Sequence, residues 1–305
     1  MKTPAYILAD WGTTSFRLWT VDRDGAVLAE ARSPDGMASL SPADYPSALS
    51  AAAAAAGADS RTPVLICGMA GAAQGWREAP YLDAGGPLRD IPAAAVAAPM
   101  PGWDVRILPG VALRDAARPN VMRGEETLLL GAVLAHGASG AVCLPGTHSK
   151  WVQVADGRIA SFRTAMTGEV FGLLVRQSTL KHFMGEAQTD SAAEPAFAAA
   201  VVESLAAPEA LLNALFSLRA GPLLFPGARP AAVQARLSGL LIGAELAANR
   251  PTGPVTLVAS GGLQSTYAAA FQIAGIAHTT LDSDACARSG LLHAARLIWP
   301  DGRSA

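Results

Sequence analysis

No string of the form G-x-x-x-x-G-K-[ST] or G-x-G-x-x-G occurs in the chain, so neither a Walker-type phosphate loop nor a dinucleotide-binding turn is available. Charge is scarce as well: only 16% of the 305 residues are charged and the formal net charge is −2. That leaves no basic surface of the kind that tracks nucleic acid. Apolar residues make up 51%, yet no run of them reaches the roughly 18 residues needed to span a bilayer. The opening residues lead straight into a strand pattern without the layout of a signal peptide. A cytoplasmic protein acting on small molecules, with neither nucleic acid nor membrane as partner, is expected. Cys67, Cys143 and Cys286 lie far apart in apolar segments, which excludes a disulfide framework and offers no zinc-ligand spacing. His136, His182, His278 and His293 show no ligand spacing either.

The length suits one large or two medium domains, each able to bury its own core. Strands are predicted at 5–9, 16–21 and 26–32, joined by Gly-containing turns into a three-strand meander. An alanine-rich helix follows at 48–56, then short apolar strands at 64–67 and 105–108, separated by a long glycine- and proline-studded loop from Gly71 to Pro101. A helix is expected at 125–136, a strand at 141–144, and a second meander through 151–154 and 159–163. Gly146-Thr147 repeats Gly12-Thr13 134 residues later, in the same order of strand, Gly-Thr turn and strand. A duplicated domain with a cleft between the copies follows. The stretch 171–250 reads as mainly helical, with 231–249 the longest helix, and the end alternates strand (255–259), helix (264–274), strand (276–281) and helix (285–298). That alternation is an α/β signature.

Two loops carry the chemistry of phosphate binding. Asp10-Trp11-Gly12-Thr13-Thr14 ends an apolar strand with a carboxylate, a glycine that lets backbone approach an anion, and two hydroxyls. Backbone N–H groups there can cradle phosphate oxygens while the carboxylate holds hydrated Mg²⁺. Pro145-Gly146-Thr147-His148-Ser149-Lys150 repeats the turn but has Leu144 where the first copy has Asp10, so Asp10 is the sole metal candidate. His148 and Lys150 are placed to reach a γ-phosphate. Ser260-Gly261-Gly262 follows a strand and opens a helix, where backbone can approach a base or ribose.

In this order, these three loops resemble the superfamily of sugar kinases, actin and heat-shock ATPases. Longer strings, namely Val121 to Thr127, Leu144 to Val152, Phe162 to Glu169 and Leu237 to Glu245, resemble the 2-dehydro-3-deoxygalactonokinase family from about Tyr6 to Ala294. The resemblance implies two ribonuclease H-like lobes with an interlobe cleft, one at 1–136 carrying the sugar-acid side and first phosphate loop, the other at 137–305 carrying the second loop and the adenosine side. The last helix is a candidate to pack back on the first lobe. It further implies that ATP, with Mg²⁺, phosphorylates the 6-hydroxyl of 2-dehydro-3-deoxy-D-galactonate in galactonate catabolism. Two alternatives stay open: a kinase for another hexulosonate or ketose, and a nucleotide switch of the actin or heat-shock type. The short chain, without room for a peptide-binding domain, favours a metabolic enzyme.

Phosphoryl transfer needs a base near the attacking hydroxyl. Related sugar kinases place an Asp at the start of the helix leading into the second domain, and here Gly124-Glu125-Glu126 occupies that context, with Glu125 first and Glu126 its rival. For the sugar acid the candidates are Met69, Ala70 and Gly71 after a first-lobe strand, Trp76 and Tyr81 in the long loop, Arg123 and Arg163 for the carboxylate, and Thr167 with Glu169 for hydroxyls. Glu125→Gln is expected to lower turnover at least about a hundredfold while ATP still binds, since a positioned base contributes about 10² to 10⁴ in rate; steady-state kinetics with an ATP-binding titration check it.

Overall fold

The computed structural model describes residues 3–185, 191–225 and 227–302, so 186–190 and 226 of the expected helical stretch, with both extreme termini, lie outside the described residues. In chain order the chain forms β1 (Tyr6–Trp11), β2 (Phe16–Val21), β3 (Val27–Ser33), α1 (Tyr45–Ala55), β4 (Val64–Gly68), β5 (Tyr81–Asp83), β6 (Val96–Ala97), β7 (Val105–Ile107), β8 (Gly110–Leu113), β9 (Asn120–Met122) and α2 (Glu125–His136). It continues through β10 (Gly140–Leu144), β11 (Ser149–Ala155), β12 (Arg158–Ala165), α3 (Thr167–Gln177), α4 (Pro195–Ala206), α5 (Leu211–Leu224), α6 (Pro230–Ala248), β13 (Val255–Ala259), α7 (Gly261–Ile273), β14 (His278–Asp282) and α8 (Ser283–Ile298).

Two compact units result. The first comprises the residues up to Ser139, Val154–Ser161 and those from Ser283 onward, and the second Gly140–Gln153 with Phe162–Asp282. Residues 137–139, 154–161 and α8 belong to the first unit, which is therefore not one continuous stretch of chain. The sheet of the first unit runs β3-β2-β1-β4-β7-β6, and that of the second β12-β11-β10-β13-β14. In each, the first five positions repeat one order: an outer pair of meander strands, the first strand, then two strands reached by crossovers. This is the ribonuclease H-like arrangement, present twice, as the repeated Gly-Thr turns imply.

In the first unit, β1 is buried along its whole length because both faces of its sheet are covered. Its alternation sorts the side chains. Ile7, Ala9 and Trp11 point into a core with Phe16, Tyr45, Leu49 and Trp76, under α1. Tyr6 and Leu8 point the other way, against Trp19, Leu65, Cys67 and the α8 residues Ala287, Leu291 and Ala294. Asp10 is on that second face by register.

Helices α2 and α8 cross closely because glycines meet backbone. A Cβ at Gly131 would overlap the Cys286 carbonyl, and one at Gly290 the Thr127 carbonyl. In the second unit the same device joins α6 to α4, with Gly239 against the Phe197 carbonyl and Gly243 against Val201. By length and hydropathy α6 could cross a bilayer, but most of its residues are buried within the second unit.

The expected loop from Gly71 to Pro101 holds β5, a short helical turn at Leu88–Ala94 and β6. Strand β5 pairs with β8, and β8 with β9, in a separate three-stranded sheet. Strands of three or four residues, one pair of which is about thirty positions apart, leave no local period to read. Gly131→Ala is expected to cost about 1–3 kcal/mol through overpacking at the α2–α8 crossing, whereas Gly253→Ala, which meets nothing within 4 Å, should stay within about 0.5 kcal/mol. Urea denaturation midpoints measure both.

Candidate active site

The loop after β1 is tight and braced. Gly12 N–H donates to Ser15 C=O at 2.8 Å, while Met37 N–H and Ala38 N–H donate to the carbonyls of Gly12 and Thr13 at 3.0 and 2.9 Å. Gly36 is obligatory beneath it, because a Cβ there would overlap the Thr13 carbonyl. Thr13 is half-buried and Thr14 exposed, leaving the loop's outer face open.

Hairpin register decides what surrounds Asp10. The four-residue connection pairs Trp11 with Phe16, so Asp10 lies directly across from Arg17, and on its other side parallel β4 sets Cys67 beside it. Arg17 donates to Asp10 Oδ2 at 2.5 Å and also to Asp284 in the first turn of α8, whose other oxygen accepts from Arg32 at 2.5 Å. Cys67 Sγ lies 3.8 Å from Asp10 Oδ1. Burial pushes the Asp10 carboxyl above its ordinary range; Arg17 opposes this, while Asp284 and Glu125 add to it. The Cys67 thiol is pushed well up by burial and by Asp10, so it stays a neutral donor.

The start of α2 reaches the same place. Gly124 (φ +103°) adopts a backbone that L side chains rarely take, and a Cβ on it would sit 3.2 Å from Gly68 Cα. Gly68 in turn (φ +91°) lies against the Trp11 carbonyl. The ends of β1 and β4 and the helix N-terminus are therefore in backbone contact. There the two candidate bases part ways. Glu126 is fully buried and turned inward, accepting from Gly124 N–H at 2.8 and 3.0 Å and from Thr127 Oγ1 at 3.0 Å. Glu125 is half-buried, accepts from Arg123 N–H at 3.0 Å, and interacts electrostatically with both Asp10 and Glu126.

Met69–Gly71 form a short helical turn after β4, with Gly71 against the Arg123 guanidinium. Arg123 is 8% exposed, donates to Ala79 C=O at 2.8 Å and lies over the Tyr81 ring at 4.2 Å, while its Nε and Nη1 have no partner among the described residues. Trp76 stands apart from this group: it is packed in the core beside Tyr45 and Trp11, with ring centroids 5.7 and 6.5 Å away.

The second unit holds its own cavity, about 290 Å³, at the carboxyl ends of β10 and β13. That is where open α/β sheets bind ligands, and the volume is at the lower end for small-molecule pockets. Gly146, Thr167, Gly262 and Tyr267 are among its walls, so three of the sequence candidates meet here. A Cβ on Gly168 would overlap the Gly146 carbonyl, and Glu169 N–H donates to Thr147 C=O at 2.9 Å, which docks the second Gly-Thr turn on the start of α3. Ser260 and Gly261 open α7 beside this wall. Lys150 is buried and donates to His148 C=O at 3.1 Å, whereas His148 itself is exposed and meets Glu169 at 2.5 Å. Arg163 is exposed on β12.

One buried carboxylate behind the cavity escaped the sequence reading. Glu245 on α6 accepts from Trp151 Nε1 at 2.8 Å, from Tyr267 OH at 2.8 Å and from Thr167 Oγ1; Ser149 Oγ lies 2.9 Å from the same Tyr267 hydroxyl. Burial raises its pKa against the pull of these donors. With their protons committed to Glu245, Thr167 and Tyr267 face the cavity with fixed orientations. Glu245 falls inside the matched string Leu237–Glu245, which was the available signal.

Residues 10–294 match the sequence model of the 2-keto-3-deoxy-galactonokinase family. The chain belongs to this family. A relative from Rhizobium meliloti (strain 1021), described as a probable 2-dehydro-3-deoxygalactonokinase, is 47% identical over 98% of this chain and 100% of its own. The 2-dehydro-3-deoxygalactonokinase of Escherichia coli (strain K12) is 36% identical over 97% of this chain and 99% of its own. A crystal structure assigned to the same activity, from Sinorhizobium meliloti, superposes with a TM-score of 0.91 at 47% identity, covering 97% of each chain. At 12% identity, an activator of 2-hydroxyisocaproyl-CoA dehydratase from Clostridium difficile, solved with bound ADPNP, superposes with a TM-score of 0.51 over 97% of this chain and 95% of its own. That likeness concerns the fold, the two-lobed actin-like one, and it agrees with the repeated sheet order. Family membership thus extends over nearly the whole length, as the strings around Glu125, Gly146 and Thr167 imply.

Burial, and next the charge of Glu125, push the Glu126 carboxyl up to about 8. The unfolded state therefore loses this proton near pH 4.5 while the folded state keeps it to about 8. Folding stability is greatest, as far as this group goes, below pH 4.5 and falls as pH rises through that window, by on the order of 5 kcal/mol. Glu126→Gln should flatten this dependence and raise the melting temperature at pH 8 relative to wild type, as thermal melts across pH would register.

Proposed function

We propose that this chain transfers the γ-phosphoryl group of ATP to the 6-hydroxyl of 2-dehydro-3-deoxy-D-galactonate, giving 2-dehydro-3-deoxy-6-phospho-D-galactonate in galactonate catabolism. Membership of the family along nearly the full chain carries the reading, and the carboxylate arrangement at the ends of β1 and β4 gives it a chemistry. Glu125 is the base. It is half-open, sits at the start of α2, and lies within electrostatic reach of Asp10. Glu126 is unsuited to that role, because it is fully buried and its oxygens are committed to Gly124 and Thr127; it holds the helix N-terminus in place.

Among the described residues no three His, Cys, Asp or Glu side chains form a metal cage. The donor set nonetheless fits Mg²⁺ brought with ATP, which takes one or two carboxylates and fills its remaining positions with phosphate oxygens and water. Asp10 is the residue to hold it, through the Oδ1 that meets only the weak Cys67 donor among the described residues. When bound, the ion would neutralise charge on the phosphates. Arg17 keeps Asp10 anchored and oriented from the opposite oxygen.

Within the first unit, Gly12, Thr13 and Thr14 are the candidate phosphate donors; within the second, Gly146, Thr147 and Lys150 are. The cavity lined by Thr167, Gly262 and Tyr267 takes the adenosine, with Glu245 fixing the two hydroxyls. Arg123, with two guanidinium nitrogens that have no partner among the described residues and with Gly71 against it, is the candidate for the substrate carboxylate. A cytoplasmic location agrees with three free, buried cysteines.

A coupled assay of ADP release over a panel of 2-dehydro-3-deoxy acids, with and without Mg²⁺, tests the assignment. The expected outcome is turnover that requires both Mg²⁺ and the galactonate-derived acid. An ATPase rate indifferent to every sugar acid would contradict it, and equal rates for the gluconate-derived epimer would make the substrate name too narrow.

A further inference from the structure

Four elements of the second unit meet on one acid. Glu245 of α6 accepts at Oε1 from Trp151 Nε1 of β11 at 2.8 Å, and at Oε2 from Tyr267 OH of α7 at 2.8 Å and from Thr167 Oγ1 at the start of α3. Three donors on two oxygens are the pattern of an ionised carboxylate, held charged although the residue is only 5% exposed. An ionised carboxylate has no proton to return, and an indole N–H can only donate. The hydroxyl protons of Thr167 and Tyr267 are therefore committed to Glu245, and toward any other group these oxygens can only accept. Tyr267 is buried and its oxygen lies 2.9 Å from Ser149 Oγ, which leaves the half-buried Thr167 as the acceptor open to the cavity. Thr266, on the same wall, likewise gives its proton to Gly262 C=O at 2.7 Å. Phe171, Leu241, Ile242 and Leu263 supply apolar surface, and none of the described walls carries a charge. Such a cavity suits a flat, uncharged group with a hydrogen-bond donor on its edge.

We infer that Glu245 is a positioning residue for nucleotide specificity: by fixing Thr167 as an acceptor, it makes the cavity select a 6-aminopurine over a 6-oxopurine. The inference rests on the reading of this cavity as the adenosine seat, and adds which group of the base is read and which residue sets the reading. The adenine amine donates to Thr167 Oγ1. A carbonyl oxygen in its place meets a second acceptor and leaves both unpaired, which is how a site built for one hydrogen-bond polarity rejects the other. Ribose hydroxyls are donors too, but the aliphatic and aromatic walls match the apolar faces of a base. Glu245→Gln reverses the polarity. Trp151 Nε1 keeps the amide oxygen on its side, so the amide N–H groups face Thr167 and Tyr267 and donate to them, and the Thr167 proton is freed to turn into the cavity.

Calorimetric titration of the full chain with ADP, IDP and 2′-deoxy-ADP tests this independently of turnover. Wild type is expected to bind ADP more tightly than IDP by on the order of tenfold, and 2′-deoxy-ADP as tightly as ADP. In Glu245→Gln and in Thr167→Val the ADP-to-IDP ratio is expected to fall to within about twofold. Loosened packing alone would not do this, because it weakens both ligands together. Should Glu245→Gln fold poorly by circular dichroism, Thr167→Val carries the same reading. Equal binding of ADP and IDP by wild type, an unchanged ratio in either folded variant, or a loss confined to 2′-deoxy-ADP would each overturn the inference. An ADP preference without sugar-acid-dependent turnover would support it while contradicting the kinase assignment, and such turnover without the preference would do the reverse.

Discussion

Asp10 faces Arg17 across the first hairpin, and much of the first unit is arranged around that pair. Arg17 reaches on to Asp284 at the start of α8, which ties that helix to the strand end that precedes the loop at Gly12. Without the guanidinium, Asp10, Asp284 and Glu125 would bring three carboxylates together in a poorly hydrated place, where like charges are costly. With it, one Asp10 oxygen is neutralised, and the other meets the weak Cys67 donor.

The two units use a common sheet order for different work. The first carries Asp10 at the position where the second has Leu144, and its acids gather near the strand ends. The second has an apolar-walled cavity backed by a single acid, Glu245, surrounded by neutral donors. Acidic side chains are thereby concentrated at the strand ends of one copy, and an apolar-walled cavity at those of the other. Duplication followed by this division accounts for one Gly-Thr turn flanked by acids and another flanked by hydroxyls.

Much of this was legible in the sequence because it is local. The meanders, the helix at 125–136 and the strand at 255–259 are written in period-2 or continuous apolar runs bounded by glycine, and the Gly-Thr repeat announced the duplication. What stayed hidden depends on register or on distant pairing. Arg17 became a partner of Asp10 only through the four-residue turn that sets Trp11 against Phe16, and Asp284 is 267 positions from Arg17. Strands β5, β8 and β9 are too short to show a period. Trp76 reads as a loop aromatic available to substrate, but the core under α1 claims its ring. Glu125 and Glu126 are adjacent in sequence and equivalent by composition; only the turn at Gly124 sends one carboxylate inward to the backbone and leaves the other half-open.

Activation of a sugar-acid hydroxyl by Glu125, where the end of β1 meets the start of α2, is the proposed step on which the chemistry turns. A crystal structure with a non-hydrolysable ATP analogue, Mg²⁺ and 2-dehydro-3-deoxy-D-galactonate tests it most directly. The account predicts the 6-hydroxyl oxygen within about 2.6–3.2 Å of a Glu125 carboxylate oxygen, with Glu126 still bound to Gly124 N–H. A 6-hydroxyl held by another acid, with Glu125 turned away from the substrate, would contradict it.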